Sequence, residues 1–258
     1  MIAKNIIKEL ELNFPKNLAE EWDNVGLLVG DNRREIKKIQ LSLDATEKAI
    51  DNAIENGVDM LVTHHPMIFK GIKNIDYSTV LGRKIIKLIE NRINLYALHT
   101  NLDSALNGLN DYIIKELGVS NSKVIDENIN GESCGIGRVY KLDKETTVAE
   151  YIKLLKEKLE IENVRLVGEE SNLIKKVAIV NGAGMSYWRK VKKLDVDLFI
   201  TGDVGYHEAL DAMESGLNLI DIGHFESEQC FARLLKSYFE KMSIDVIIYN
   251  DGPIFKNY

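Results

Sequence analysis

Apolar and polar positions along this chain alternate between two periods. Ile2, Ile6, Ile7 and Leu10 recur at helical spacing, so residues 2–12 are predicted to form an amphipathic helix. Asp23, Asn24 and Gly26 then suit a turn, and a short strand at 27–29 is closed by Gly30 and Asp31. From residue 36 onward short apolar runs alternate with helical stretches. The runs predict strands at 39–43, 60–62 and 94–98, and the helical stretches predict helices over 46–56, 80–91 and 109–117. Gly57 and Gly118 stand where a left-handed residue commonly ends a helix. A strand at 132–142, a helix over 147–159 and a strand at 164–168 come next. Near the end, a helix over 228–241 precedes a strand at 246–249 that is placed to return to the first sheet. Buried strands alternating with helices predict an α/β fold: mainly parallel or mixed sheets with helices on both faces, in three layers.

The rhythm occurs twice. Ile36-Lys37-Lys38-Ile39 is answered by Ile174-Lys175-Lys176-Val177, and Leu61-Val62-Thr63-His64-His65 by Phe199-Ile200-Thr201-Gly202-Asp203. Both pairs stand 138 residues apart (174 − 36 and 201 − 63). The strand running from Asn94 into His99 has a counterpart in the run from Leu217 to His224. A constant offset at separate strand ends points to an internal duplication, hence two similar α/β domains. Residues 1–127, joined by 225–258, are expected to form the first half and 128–224 the second.

Composition narrows the function classes. Hydrophobic residues make up 45% and charged residues 28% of 258, as in ordinary globular proteins. A net charge of −7 offers no basic stripe for phosphates, which disfavours a nucleic-acid partner. No apolar run approaches a membrane span, and the N-terminus leads into the amphipathic helix instead of a signal-peptide core, so a cytoplasmic location is expected. Cys134 and Cys230 lack metal-ligand spacing and read as reduced thiols. Trp22 reads as a packed core aromatic in preference to a binding platform.

The candidate chemistry gathers at the strand ends, where ligands collect in parallel α/β sheets. All five histidines lie there: His64, His65, His99, His207 and His224. His64 and His65 follow the apolar run Met60-Leu61-Val62 and precede Pro66, which biases His65 toward extended backbone. Asp103 lies four residues after His99, and Glu228 four after His224, a spacing that shares one helix face. Together His64, His65, Asp103, His224 and Glu228 supply three imidazoles and two carboxylates. That set suits two divalent ions (zinc, iron, manganese or nickel) sharing a bridging carboxylate and water. It contains no thiolate, so a structural cysteine-type zinc site is excluded. His99 and His207 are left as candidate catalytic acid/base residues, orienting residues or structural ones. Asp203 and Tyr206 are candidates for lining the pocket. Asn181-Gly182-Ala183-Gly184 reads as a plain turn before it reads as an anion-binding loop, and neither Ser42 nor Ser186 has the surroundings of a nucleophile.

Taken in order, five motifs resemble the Nif-three-like family, whose members are often called GTP cyclohydrolase I type 2 homologues. They are Trp22-Asp23-Asn24-Val25-Gly26-Leu27; Thr63-His64-His65-Pro66; His99-Thr100-Asn101-Leu102-Asp103; Thr201-Gly202-Asp203 with His207; and Asp221-Ile222-Gly223-His224 with Glu228. The resemblance implies a duplicated three-layer α/β fold and a dinuclear metal centre held by His64, His65, Asp103, His224 and Glu228. It also implies a ring-shaped homohexamer with the metal sites facing an internal cavity. The interval from Leu117 to Ile174 is too short for the extra domain many bacterial members carry, so the compact form is expected. The implied activity is metal-dependent hydrolysis of a small nucleotide-like substrate; the alternative is a non-enzymatic metal-binding protein that delivers, stores or senses metal, or a scaffold.

Overall fold

The structure, a computed structural model, describes residues 1–256. The chain begins with α1 (Ala3–Asn13), β1 (Gly26–Val29), β2 (Lys38–Ser42), α2 (Glu47–Glu55), β3 (Met60–Thr63), α3 (Val80–Glu90), β4 (Asn94–Ala97) and α4 (Thr100–Ser104). It continues through α5 (Leu109–Glu116), β5 (Lys123–Glu127), β6 (Gly135–Thr147), α6 (Val148–Leu159), β7 (Arg165–Val167) and β8 (Leu173–Ile179). Next come α7 (Trp188–Lys193), β9 (Leu198–Thr201), α8 (Tyr206–Glu214), β10 (Asn218–Asp221) and α9 (His224–Glu228). Last are α10 (Phe231–Glu240) and β11 (Asp245–Ile248). Among the described residues no helix is long and apolar enough to cross a membrane.

Two compact units result. One comprises Met1–Ala105 with Phe231–Gly252; the other comprises Leu106–Cys230 and the few residues after Gly252. The sequence places these limits after 127 and 224, and the difference has a cause in strand pairing. β5 pairs with β6, so residues 106–127 go with the second sheet. The predicted helix over 228–241 corresponds to α10, with Glu228 ending the separate short α9, and the unit boundary falls in the break between the two.

In the first unit the strand order is β1-β4-β3-β2-β11. β4, β3, β2 and β11 run parallel, and β1 is antiparallel to β4. β3 is buried at all four positions, the continuous apolar run that a central parallel strand covered on both faces requires. Leu61 and Leu95 pack against Ile50 and Ala53 of α2 and Ile85 and Leu88 of α3. Tyr96 points the other way, where burial and the nearby Glu11 carboxylate of α1 push its phenol well above the usual range. On that side Phe14, just after α1, meets Tyr238 of α10 at 5.5 Å between ring centroids.

In the second unit the order is β5-β6-β8-β9-β10-β7, with β8, β9 and β10 parallel and the other pairings antiparallel. Ala178, Phe199 and Leu219 pack with Trp188 and Val191 of α7 and Ala212 of α8. Arg138 and Tyr140 of β6 face the opposite layer. There Tyr140 shares a 2.6 Å hydroxyl hydrogen bond with Tyr151 of α6, whose phenol burial pushes up to about 12. Arg138 forms an ion pair with Asp111 of α5.

The duplication is visible in the topology. The blocks β1-β4-β3-β2 and β7-β10-β9-β8 have the same order and the same strand directions. Leu41 pairs with Val62, and their counterparts 138 residues on, Ile179 and Ile200, pair likewise. By the same offset Asp203 occupies the place of His65, and Gly182 that of Asp44.

Candidate metal centre

Two half-sites form at the carboxyl ends of the parallel strands, one in each unit. In the first, β3 ends at Thr63, whose hydroxyl donates to the His65 carbonyl at 2.9 Å. The amides of His64 and His65 both donate to the Leu43 carbonyl, which folds the strand end into a fixed turn. His99 follows β4 and caps α4, with its N–H donating to Asn101 Oδ1 at 3.0 Å. The rings of His64, His65 and His99 stand 5.1–5.6 Å apart. Each can offer a ligand atom within 4.8 Å of the others, a group able to hold a metal ion. Asp103, buried in α4, brings a carboxylate oxygen to 3.7 Å from His64 Nε2.

In the second half-site His224 opens α9 after Gly223, whose φ of +84° turns the chain sharply out of β10. Glu228, four residues on, is buried and places Oε2 at 3.2 Å from His224 Nε2. Its other oxygen accepts from Asn181 Nδ2 at 3.0 Å.

The imidazoles share one preparation. His64 Nδ1 donates to the Leu98 carbonyl at 2.7 Å, His65 Nδ1 to Asp44 at 2.9 Å, His99 Nδ1 to Asp23 at 2.9 Å, and His224 Nδ1 to Asp203 at 2.7 Å. Each acceptor is a carbonyl or carboxylate oxygen, so Nδ1 must carry the proton and the neutral ring keeps its lone pair on Nε2. This arrangement orients a metal-ligating histidine and raises its basicity. In addition, an Nε2 lone pair facing a carboxylate oxygen is repulsive unless a proton or a cation lies between them. His64 with Asp103 and His224 with Glu228 both face each other in this way. The donor set therefore fits a divalent metal of the zinc, iron, manganese or nickel kind.

The three orienting carboxylates are not marked in the sequence as partners of their histidines. Asp23 is 76 residues from His99. Burial raises its pKa, but hydrogen bonds from His99, Thr100 and the Asn24 amide outweigh that and hold the carboxyl below the usual range. Asp44 lies 21 residues before His65, just beyond the end of β2. Asp203, a candidate pocket residue by sequence, instead grips His224, from a backbone φ of +52°. His207 lies exposed in the first turn of α8 with its ring edge-on to that of Tyr206, and it belongs to neither half-site's cluster of possible ligands among the described residues.

The Asn181-Gly182-Ala183-Gly184 loop spends amides within the fold that an anion-binding loop would offer to a ligand. Gly182 N–H donates to Ser227 Oγ and Gly184 N–H to Thr201 Oγ1, both at 2.8 Å, so two of its amides are committed within the fold. The loop packs against Glu228 instead. A Cβ on Gly182 would lie 2.4 Å from Glu228 Oε1, and the residue has φ +58°. Gly182→Ala is therefore expected to displace the carboxylate and to weaken metal binding by roughly 10–100-fold, the range for lost orienting contacts. Competition with a chelator of known affinity measures the change, and unaltered affinity would refute the packing role.

Comparison with known proteins agrees with this picture. The family model described as Duf34/NIF3 (NGG1p interacting factor 3) matches residues 1–252. A GTP cyclohydrolase 1 type 2 homolog of Clostridium perfringens is 48% identical over 228 residues, covering 88% of this chain and 87% of that protein. A Clostridium acetobutylicum protein of the same name is 39% identical over 95% of this chain and 94% of its own length. The alignment to a Staphylococcus aureus namesake runs over 354 positions, more than the 258 residues here, so that relative carries sequence absent from this compact form. Among solved structures, Staphylococcus aureus protein SA1388 superposes with a TM-score of 0.89 at 31% identity, covering 100% of this chain and 99% of its own. Reduced HcgD from Methanocaldococcus jannaschii superposes with a TM-score of 0.83 at 34% identity, covering 96% and 97%. With its duplicated α/β topology and its oriented histidines, the chain belongs to the Duf34/NIF3 family.

Proposed function

We propose that this protein binds two divalent metal ions per chain through His64, His65, Asp103, His224 and Glu228, and that it is a hydrolase acting on a small nucleotide-like substrate in the manner the relatives' name suggests. The observation that carries this reading is the shared Nδ1 anchoring of four imidazoles, which makes Nε2 the ring atom suited to act as a ligand or base. When bound, a metal pair supplies Lewis acidity and an activated water. The chain's own residues do the rest. His64, fully buried, cannot swing away from its place because its Nδ1–H is tied to the Leu98 carbonyl. Glu228 is held at one oxygen by Asn181, and its other oxygen, beside His224 Nε2, is the one suited to serve as a ligand. His99, backed by Asp23, is suited to take up and return a proton at Nε2, the pairing of base and orienting carboxylate that general acid–base work requires. His207 is the second candidate for moving protons. A cytoplasmic location and a toroidal homohexamer complete the proposal.

The test is to load the purified protein with zinc, iron, manganese or nickel, count bound ions, weigh the assembly by light scattering, and assay a panel of nucleotides. Two ions per chain, a hexameric mass and turnover of a nucleotide are expected. His64→Ala is expected to lower that turnover at least about a hundredfold. Turnover that survives removal of both ions would sink the hydrolase reading. Tight metal binding without turnover of any nucleotide would transfer weight to metal delivery or sensing.

A further inference from the structure

Trp22 is expected from the sequence to be packed in the core; it is instead 56% exposed, and its neighbour Phe69 is 45% exposed. Their rings stand 5.6 Å apart, tilted by 41°. On its other flank Trp22 meets the His99 ring edge-on at 5.9 Å, and His99 in turn touches His64 and His65. An exposed aromatic surface thus runs directly into the histidine cluster of the first unit.

The surface is held in place. Trp22, Asp23 and Asn24 are consecutive, and the two residues after the tryptophan anchor it in two directions. Asp23 accepts from the His99 ring and from the amide and hydroxyl of Thr100. Asn24 donates from Nδ2 to the Ile68 carbonyl at 2.6 Å, which fixes the backbone next to Phe69. Leaving an indole this exposed forgoes the stabilisation its burial would bring, so a fold that pins it there gains nothing from packing. A fixed indole does offer a flat face on which a planar ring can stack, with the edge of that ring directed at His99 and its neighbours.

We propose that Trp22, supported by Phe69, is the stacking platform for a planar nitrogen-heteroaromatic ring, the base of the substrate. This rests on the nucleotide-directed reading of the histidine cluster and adds the residues that recognise the ring. Trp22 binds and positions; it takes no part in proton transfer.

The experiment uses the full-length, metal-loaded protein with guanosine as the probe and ribose 5-phosphate as the ringless control. Trp188, the other tryptophan, is buried, so exposed-indole emission belongs to Trp22. Guanosine is expected to quench that emission saturably, and ribose 5-phosphate is not. By calorimetry Trp22→Ala is expected to weaken guanosine binding roughly tenfold or more, the usual consequence of losing one base–aromatic stack. Phe69→Ala is expected to weaken it less, and Trp22→Phe to restore affinity to within about threefold, since a phenyl ring still stacks. In turnover the same loss is expected in KM, with kcat little changed. Guanosine affinity that is equal in Trp22→Ala and the unaltered protein would overturn the platform, and so would the absence of any saturable guanosine binding. A smaller assembly mass in Trp22→Ala with no guanosine effect would also overturn it, by assigning the surface to a contact between copies of the chain. Turnover with an unchanged KM in Trp22→Ala rejects the platform while sparing the hydrolase. Ring binding without turnover does the reverse.

Discussion

Glu228→Gln is expected to weaken the protein's hold on metal by more than about a hundredfold. Losing a ligand exceeds the 10–100-fold cost of losing a residue that only orients one. Glutamine keeps the shape and the contact with Asn181, so α9, buried at Ser227 and Glu228, has no packing reason to unfold. What is removed is the negative charge that faces His224 Nε2 at 3.2 Å. Without a cation in place, two acceptors at that separation repel, and the substitution relieves the repulsion. Metal-free Glu228→Gln should accordingly be as stable as the unaltered protein or slightly more so. Equilibrium dialysis against a graded chelator series gives the affinity, and urea unfolding of both metal-free forms gives the stability. Undiminished metal retention would remove Glu228 from the ligand set.

Asp111→Ala is expected to produce the largest loss of stability. Arg138 is 2% exposed, near the start of β6. Its guanidinium is held by Asp111 and by the carbonyls of Gly135 and Gly137, at 2.8 and 2.9 Å. Removing the carboxylate leaves a buried cation with dipoles alone around it, a change worth about 3–5 kcal/mol. Removing both charges should cost far less, because an apolar side chain of similar length fills the space without a desolvation penalty. Asp111→Ala combined with Arg138→Met is thus expected to recover most of the deficit. The two tryptophans lie in different units, so Trp188 emission in a Trp22→Phe background follows unfolding of the second unit by itself. A shift below about 1 kcal/mol in the single variant would mean that the carbonyls suffice to hold the charge.

Particular residues explain why some of this was legible in the sequence. The β3 run Met60-Leu61-Val62 is apolar at every position because both faces of the strand are covered, and its shortness and the alternation with helices around it identify a central parallel strand. His64 and His65 are found by the same reading, since the strand delivers them to its carboxyl end. β5 escapes because only Ile125 of its five residues is buried, which leaves no alternation to detect. The helix predicted over 228–241 is α10 begun three residues early, because nothing in Glu228-Gln229-Cys230 marks the break that separates it from the short α9. The orienting residues Asp23, Asp44 and Asn181 are the least legible. Each meets its partner across a distance in the chain set by the tertiary fold, and an aspartate or asparagine beside a glycine or a turn has a sufficient local explanation already.

The first unit is assembled from two stretches of chain separated by the whole of the second. Its sheet edge β2 pairs with β11, and its core takes Phe231, Leu235 and Phe239 from α10. On a ribosome the order of completion is therefore inverted: the later-synthesised middle is contiguous and can close, while the N-terminal part waits with an open strand edge. An open parallel edge is a template for unwanted pairing. For that interval the histidines that follow β3 and β4 already lie in the exposed chain, so the newborn protein presents its candidate metal ligands before it has a finished domain to hold them.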